Sequence, residues 1–312
     1  MAINSTFYID AADFTLATAV YLDSLLTNIA PDGFYQADDI VREQSGGILL
    51  TAEACGTCAT PCGSTIDASG NQGIYLVNLD VGSVATGAII IGINSFSIPD
   101  GIRVTYDGVV YNKLSSPAVG IRQSSTYGNF TVVGRTVSDC GLAGNTTTLP
   151  ALTEFLYNSV SSSFVPTGNT QSITLLPGDI KLSTSSPGFC VMVIPKTSPT
   201  PSAVLIEVVG PCSATSWDIE AYCPEELPSF TTSPQFATSA VPCFGADDGI
   251  TKYFAKVHLA VDSFVGLYDF VFTDPNGQFP LASGFYRAND RPSPNNVIEV
   301  SNGIVVGITN CI

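Results

Sequence analysis

The amino-acid sequence predicts an all-β protein, with a central jelly-roll-like β-sandwich flanked by two related small β modules. Three observations predict this fold: short apolar runs bounded by turn residues, twenty-eight Gly and twenty Pro in 312 residues, and a repeat shared by the two ends of the chain. Short strands connected by tight turns have this composition. We expect an N-terminal module over 1–66, the sandwich over 67–228, and a C-terminal module over 229–312 that repeats the first.

The repeat defines the two terminal modules. Val20–Tyr35 aligns without gaps with Val271–Tyr286, and Ser45–Cys55 aligns with Ser301–Cys311 after five extra residues in the second copy. Each copy has the pattern of a hairpin followed by a third strand, with Gly-containing turns between apolar and aromatic runs. Chance similarity between two β meanders is the alternative explanation of the alignment.

A three-stranded unit is only marginally stable alone, so each copy is expected to dock on a neighbouring segment, on its twin or on another subunit. The charge-poor strand edges of the copies are the predicted joints, because an unpaired edge can add a strand from a neighbour. The aromatic residues at the hairpin exits are the candidate interface residues, namely Phe34, Tyr35, Phe285 and Tyr286.

The central body has the pattern of many short strands. Apolar or alternating runs such as Gly73–Asp80 and Gly87–Phe96 recur between turn residues, which is typical of a sandwich. Asp107-Gly108 predicts a primed hairpin turn, since both residues favour positive φ. One or two short helices are expected at most, with Leu149–Val160 the better candidate because its apolar residues fall on one helical stripe.

The charge of the chain excludes several classes of function. Eleven Lys and Arg against twenty-seven Asp and Glu give a net charge of -16, which argues against binding to nucleic acid or to an anionic membrane. The longest apolar run, about Ala88–Ile93, is too short to span a bilayer, and the first residues lack the features of a secretion signal. Only 12% of residues are charged, which indicates a surface partly covered by protein partners.

The nine cysteines are expected to be mostly reduced, because no export signal is evident. Cys55, Cys58 and Cys62 form the densest group, with a C-x2-C spacing that suits structural zinc. A complete zinc site needs a fourth ligand, which the local sequence does not supply. A disulfide and an unligated turn are the two alternatives. We therefore predict no cofactor, and structural zinc at this cluster is the one exception that the sequence suggests.

The sequence contains few candidates for catalytic residues, and the chain is predicted not to be an enzyme. His258 is the only histidine, and the alternation around it places it on a polar strand face. The acidic pairs, which are Asp38/Asp39, Glu225/Glu226 and Asp247/Asp248, consist of adjacent residues that point to opposite faces of a strand. Trp217 is predicted to lie in the core or an interface rather than to stack on a sugar.

Several phrases of the sequence resemble a known family. Phe14–Tyr35, Ile98–Lys113, Met192–Lys196 and Glu207–Pro224, in this order, are similar to virion-associated proteins of tailed phages that infect Bacteroidetes, with the crAss-like podoviruses the nearest group. The resemblance covers most of the chain and implies a structural role in the particle. It implies no catalytic residue.

The function expected from the resemblance is that of a phage virion structural protein of the neck or tail region, such as a ring or collar. It would form homo-oligomers, dock to portal, ring, tail or fibre proteins, and be assembled in the cytoplasm of the host bacterium. A receptor- or glycan-binding fibre component is the alternative, and a tail-borne glycosidase is a third hypothesis that would need two facing carboxylates.

Overall fold

The computed structural model describes most of the chain, and its regular secondary structure is entirely β. The described residues are 6–14, 16–37, 40–50, 53–54, 59–115, 130–135, 139–142, 144–183, 189–239, 249–256, 264–289 and 296–310. These ranges contain twenty-five strands and no helix, which confirms the all-β prediction. Over the same ranges, no helical segment has the length and apolar character needed to cross a membrane.

The chain divides into two compact units. One consists of Met1–Cys58 with Tyr157–Ser163, and the other of Ala59–Leu156 with Phe164–Ile312. The first unit contains the N-terminal copy of the repeat, and the second contains both the central body and the C-terminal copy. The division into three modules at residues 66 and 228 stays a prediction.

The first unit is a small set of short strands around one apolar core. Its strands are β1 (Tyr8–Ile9), β2 (Val20–Tyr21), β3 (Gly33–Ala37), β4 (Ile40–Ser45), β5 (Ile48–Leu49) and β6 (Glu53–Ala54). Strand β1 pairs with β2, and β4 pairs with β3, β5 and β6. The core is formed by Phe14, Ala17, Val20, Ala30 and Leu49.

Two buried polar side chains tie the loops of the first unit to its sheet. The Arg42 guanidinium donates hydrogen bonds to four backbone carbonyl oxygens, those of Phe14, Ala17, Leu49 and Leu50. The Gln44 side chain accepts a bond from the Val20 N–H at 2.6 Å and donates one to the Ala30 carbonyl at 2.7 Å. In a unit with so few strands, these bonds replace much of the ladder pairing that a larger sheet would provide.

The second unit begins with the strands of the central body. They are β7 (Thr60–Pro61), β8 (Thr65–Gly70), β9 (Gly73–Asp80), β10 (Gly87–Asn94), β11 (Asp100–Tyr106), β12 (Val109–Tyr111), β13 (Thr131–Arg135), β14 (Thr147–Asn158), β15 (Ser163–Leu175), β16 (Ile180–Ser183), β17 (Phe189–Lys196), β18 (Ala203–Gly210) and β19 (Thr215–Ala221). They form a nine-stranded mixed sheet and a four-stranded antiparallel sheet.

The two sheets pack as a sandwich. The larger has the order β15-β14-β9-β18-β11-β13-β16, with β12 on β11 and β7 on β9, and the smaller has the order β17-β10-β19-β8. Tyr75 of β9 and Trp217 of β19 meet edge to face with ring centroids 5.4 Å apart. Trp217 is fully buried. The central β-sandwich predicted from the sequence is therefore confirmed.

The last six strands form a closed sheet. They are β20 (Ser229–Thr232), β21 (Ile250–Ala255), β22 (Phe270–Phe272), β23 (Gly284–Arg287), β24 (Asn296–Ser301) and β25 (Ile304–Asn310), in the order β20-β21-β22-β25-β24-β23. Bridges between Thr232 and Ala288 and between Phe236 and Phe285 join β20 and the segment that follows it to the β23 side of the sheet. This closure makes a small barrel around a core that includes Phe230, Phe254, Val271, Tyr286 and Ile298.

The sequence patterns predict one hairpin correctly and one helix wrongly. Asp107 and Gly108 have φ of 49° and 73° and connect β11 to β12, as expected for a primed turn. The helix predicted over Leu149–Val160 is wrong, because β14 occupies this region. Ala151 has a left-handed φ of 54° and interrupts the strand alternation, so Leu149 and Leu152 both face the core at the three-residue spacing that suggested a helix.

Four of the nine cysteines are paired, although the sequence led us to expect most of the nine to be reduced. Cys62 is bonded to Cys223 and Cys140 to Cys212, with Cα–Cα distances of 4.9 and 6.1 Å. These pairs join segments 161 and 72 residues apart in sequence, a proximity that only the sandwich creates. Cys190 is fully buried in β17.

Candidate functional site

The two copies of the repeat carry the same turn. The Asp23 carboxylate accepts hydrogen bonds from three backbone N–H groups, those of Leu25, Thr27 and Asn28. The Asp274 carboxylate accepts the same three bonds from the aligned residues Asn276, Gln278 and Phe279. The turn is thus built by one aspartate in each copy, and the sequence alignment corresponds to an equivalence of main-chain structure.

The rest of the repeat follows the same equivalence. The Tyr35 hydroxyl donates to the Pro31 carbonyl, and the Tyr286 hydroxyl donates to the Ala282 carbonyl. The bridge between Tyr21 and Ile29 is matched by one between Phe272 and Pro280. Gly47 and Gly303 have φ of 77° and 75°. Aligned residues can therefore be compared one by one for what covers them.

The two copies differ in how much of their surface is buried by neighbouring residues. Ile304 is 0% exposed and belongs to a cluster with Ala88, Leu227, Ala255, Phe270 and Phe272. Ile48, the same residue at the equivalent position of the N-terminal copy, is 62% exposed. The C-terminal copy thus buries against the sandwich a position that the N-terminal copy leaves in solvent.

The aspartate turn is likewise more buried in the C-terminal copy than in the N-terminal copy. Gly277 is buried, and a Cβ atom added there would lie 2.9 Å from Val193 Cγ1 and 3.6 Å from the Ala88 Cβ. Leu227 donates its N–H to the Pro275 carbonyl of this turn at 2.8 Å. The equivalent turn of the N-terminal copy presents Leu25 and Leu26, which are 80% and 38% exposed.

Leu26 has an unfavourable backbone for its side chain. Its φ is 56°, a left-handed conformation that costs a residue with a Cβ about 1–2 kcal/mol, whereas the second copy has Gly277 at this place. Strain of this kind, retained together with an exposed apolar side chain, points to a functional contact. We call Leu25, Leu26, Ile29 and Ile48 the open face of the N-terminal copy.

The four predicted interface residues have different surroundings. Phe34 is 75% exposed, whereas Tyr35 is half-buried and packs edge to face against Phe7. Tyr286 is buried in the barrel core, and Phe285 pairs through its backbone with Phe236. Of the four, Phe34 alone offers a largely exposed side chain.

The described part of the chain shows no site formed by the residues that were weighed as metal ligands or catalytic groups. Cys62 is held in a disulfide, and a disulfide sulfur is not the thiolate that zinc requires. Cys55, Cys58, His258, Asp38, Asp39, Asp247 and Asp248 lie outside the described residues. Glu225 and Glu226 are exposed. Within the described ranges, His, Cys, Asp and Glu form no group of three suited to a metal ion.

A pocket of about 330 Å³ lies in the second unit between β12, β17 and β22. Lys113 contributes its ammonium group, which donates to the Asn302 carbonyl at 2.7 Å and lies 5.4 Å from the Phe270 ring centroid. Burial lowers the pKa of Lys113 to about 8. Tyr111 and Lys113 are the only titratable side chains among the described lining residues.

A buried carboxyl group in the sandwich predicts an unusual dependence of stability on pH. Asp100 accepts a hydrogen bond from the Thr215 hydroxyl, its Oδ2 has no hydrogen-bond partner among the described residues, and burial raises its pKa to about 8. Because this pKa lies above the unfolded value, the free energy of unfolding should fall as pH rises between about 4 and 8.

We expect Asp100→Asn to remove most of that fall and to stabilise the protein at pH 9, since asparagine resembles the protonated acid. Urea denaturation at pH 6 and pH 9 measures the difference. Asp107→Asn, on the exposed hairpin turn, is the matched control and should leave the dependence unchanged. If the free energy of unfolding falls equally between pH 6 and pH 9 in Asp100→Asn and in wild type, Asp100 is not the titrating group.

Comparisons with family models, with curated proteins and with solved structures give no match for this chain.

Proposed function

We propose that the protein is a non-enzymatic structural component of a tailed-phage virion, in the neck or tail region, that assembles by docking its N-terminal copy on another protein. The resemblance of four sequence segments to phage virion proteins supports the class of protein. The contrast between exposed Ile48 and buried Ile304 supports docking as its mode of action.

The open face has the apolar composition of a protein–protein interface. Fully burying a Leu or Ile side chain contributes about 1.5–3 kcal/mol, so covering four of them supplies a substantial part of a binding free energy. Groups of large exposed apolar residues are typical of interaction sites, and the open face consists of four such residues. The cover used by the C-terminal copy, the apolar residues Ala88, Val193 and Leu227, indicates the partner chemistry: a sheet surface with small and branched aliphatic side chains.

The disulfides are compatible with synthesis in a bacterial cytoplasm followed by release of the particle. A chain made in the reducing cytoplasm of a bacterium holds its cysteines as thiols, and a particle released from the cell meets oxidising conditions. Cys223 is exposed, so an oxidant reaches that pair from solvent. In this proposal the pairs Cys62–Cys223 and Cys140–Cys212 form after assembly.

The test measures incorporation of the protein into particles. We expect the double variant Leu26→Gly, Ile48→Thr to be incorporated at least tenfold less than wild type in density-purified particles, as quantified by mass spectrometry. The free energy of unfolding of the variant should stay equal or rise by about 1 kcal/mol, because glycine relieves the left-handed backbone and Ile48 is exposed.

Val84→Thr is the matched control, because Val84 is a highly exposed aliphatic residue of the second unit. It should be incorporated like wild type. The absence of the wild-type protein from purified particles would overturn the proposed class of protein. Normal incorporation of the double variant would overturn docking through the open face.

A further inference from the structure

In the C-terminal barrel, an extended segment covers the outer edge of β23. The Phe285 N–H donates to the Phe236 carbonyl, and the Phe236 N–H donates to the Phe285 carbonyl, both at 2.9 Å. The Ser233 N–H donates to the Arg287 carbonyl at 3.1 Å, and the Ser233 hydroxyl accepts the Arg287 N–H at 2.9 Å. The Gln235 side chain adds a bond to the Ser283 carbonyl. We call residues 233–236 the covering segment.

The N-terminal copy has the same edge, and none of its described residues covers it. Strand β3 is the equivalent of β23 and lies at the end of the order β3-β4-β5. Phe34 pairs with Glu43 of β4, as Phe285 pairs with Glu299 of β24. The N–H and C=O groups of Phe34 therefore point to the outer side, where no described residue pairs with them.

Strand β3 also lacks the features that keep an edge unpaired. Natural proteins protect exposed edges with charged residues, proline, bulges or a covering loop. The sequence of β3, Gly-Phe-Tyr-Gln-Ala, contains neither charge nor proline, and its register with β4 runs without a bulge. An uncharged edge with an exposed phenylalanine is suited to adding a strand.

We propose that the outer edge of β3 accepts an extended, uncharged segment of another protein chain, which pairs with Phe34 antiparallel as the covering segment pairs with Phe285. The partner segment carries an apolar residue opposite Phe34 and a small hydroxyl residue three positions earlier, like Phe236 and Ser233. This inference deepens the proposed docking function, because it names the kind of segment that the partner contributes.

The experiment uses the full chain and a fluorescein-labelled peptide that copies residues 231–239, TTSPQFATS. Fluorescence anisotropy should show saturable binding to wild type. Phe34→Pro should weaken binding at least tenfold, because proline removes the outward N–H while remaining tolerable on an edge strand. Phe34→Leu is the matched control, retains the N–H group and an apolar side chain, and should bind within about threefold of wild type.

Hydrogen exchange locates the bound peptide. Addition of the peptide should slow exchange of the amides of Gly33–Ala37 in wild type and leave those of β23 unchanged. Binding that is equal in wild type and Phe34→Pro, protection confined to β23, or no binding at millimolar peptide would each overturn the strand-addition proposal. Incorporation into particles, measured separately through Leu26→Gly and Ile48→Thr, tests docking by the open face, so the two failures are distinguishable.

Discussion

Alanine at both Cys62 and Cys223 is expected to lower the free energy of unfolding of the oxidised protein by about 2–5 kcal/mol. The bond joins residues 161 positions apart, so its loss releases a long loop in the unfolded chain. Urea denaturation without reductant, followed by tryptophan fluorescence of the buried Trp217, measures the change.

The control for this prediction is the same comparison in the presence of reductant, where wild type and the double variant should unfold at closely similar urea concentrations. Both then lack the Cys62–Cys223 bond, and the Cys140–Cys212 bond is lost equally in each. Alkylation of Cys62 and Cys223 in the folded, unreduced protein would contradict the pairing itself.

Arg42→Met is expected to unfold the first unit, with a loss of about 3 kcal/mol or more. The buried guanidinium holds the carbonyls of Leu50 at 2.7 Å, Phe14 at 2.8 Å and Ala17 at 2.6 Å. Methionine fills similar space and donates no hydrogen bond, so these acceptors would remain unpaired or be exposed to water. Limited proteolysis should cleave the variant within the first unit while the second unit stays intact.

Arg42→Lys is the graded control for that prediction. A lysine ammonium has three donors on a flexible stem and cannot reproduce the planar fork of arginine, so stability should fall between those of wild type and Arg42→Met. Equal protease resistance of wild type and Arg42→Met would show that the core of Phe14, Val20 and Leu49 suffices without the guanidinium.

The sequence predicted the parts of the fold that depend on neighbouring residues. The turns at Asp23 and Asp274 are built from hydrogen bonds that span at most five residues, so aligned sequences adopt the same geometry. The primed turn at Asp107-Gly108 is equally local. The strand β14 was not predicted because the left-handed residue Ala151 gives Leu149 and Leu152 a spacing that helices also use.

Long-range pairing accounts for what the sequence could not predict. The disulfide partner of Cys62 is set by the meeting of distant strands, which local spacing does not encode. The difference between Ile48 and Ile304 is invisible in an alignment, because the same residue occupies both positions. Only the placement of Ala88 and Leu227 beside the second copy, as the fold provides it, separates a covered face from an open one.

The closed barrel has a consequence for the valency of the chain. Because the bridges Thr232–Ala288 and Phe236–Phe285 pair the outer edge of β23, the described residues of the C-terminal copy leave no free edge there for another strand. In the proposal that β3 accepts a strand, the duplicated module therefore contributes one acceptor edge per chain rather than two. If the neighbour that occupies this edge is another copy of the chain, the contact is head to tail, and the assembly closes as a ring only when the rotation between neighbours divides a full turn evenly.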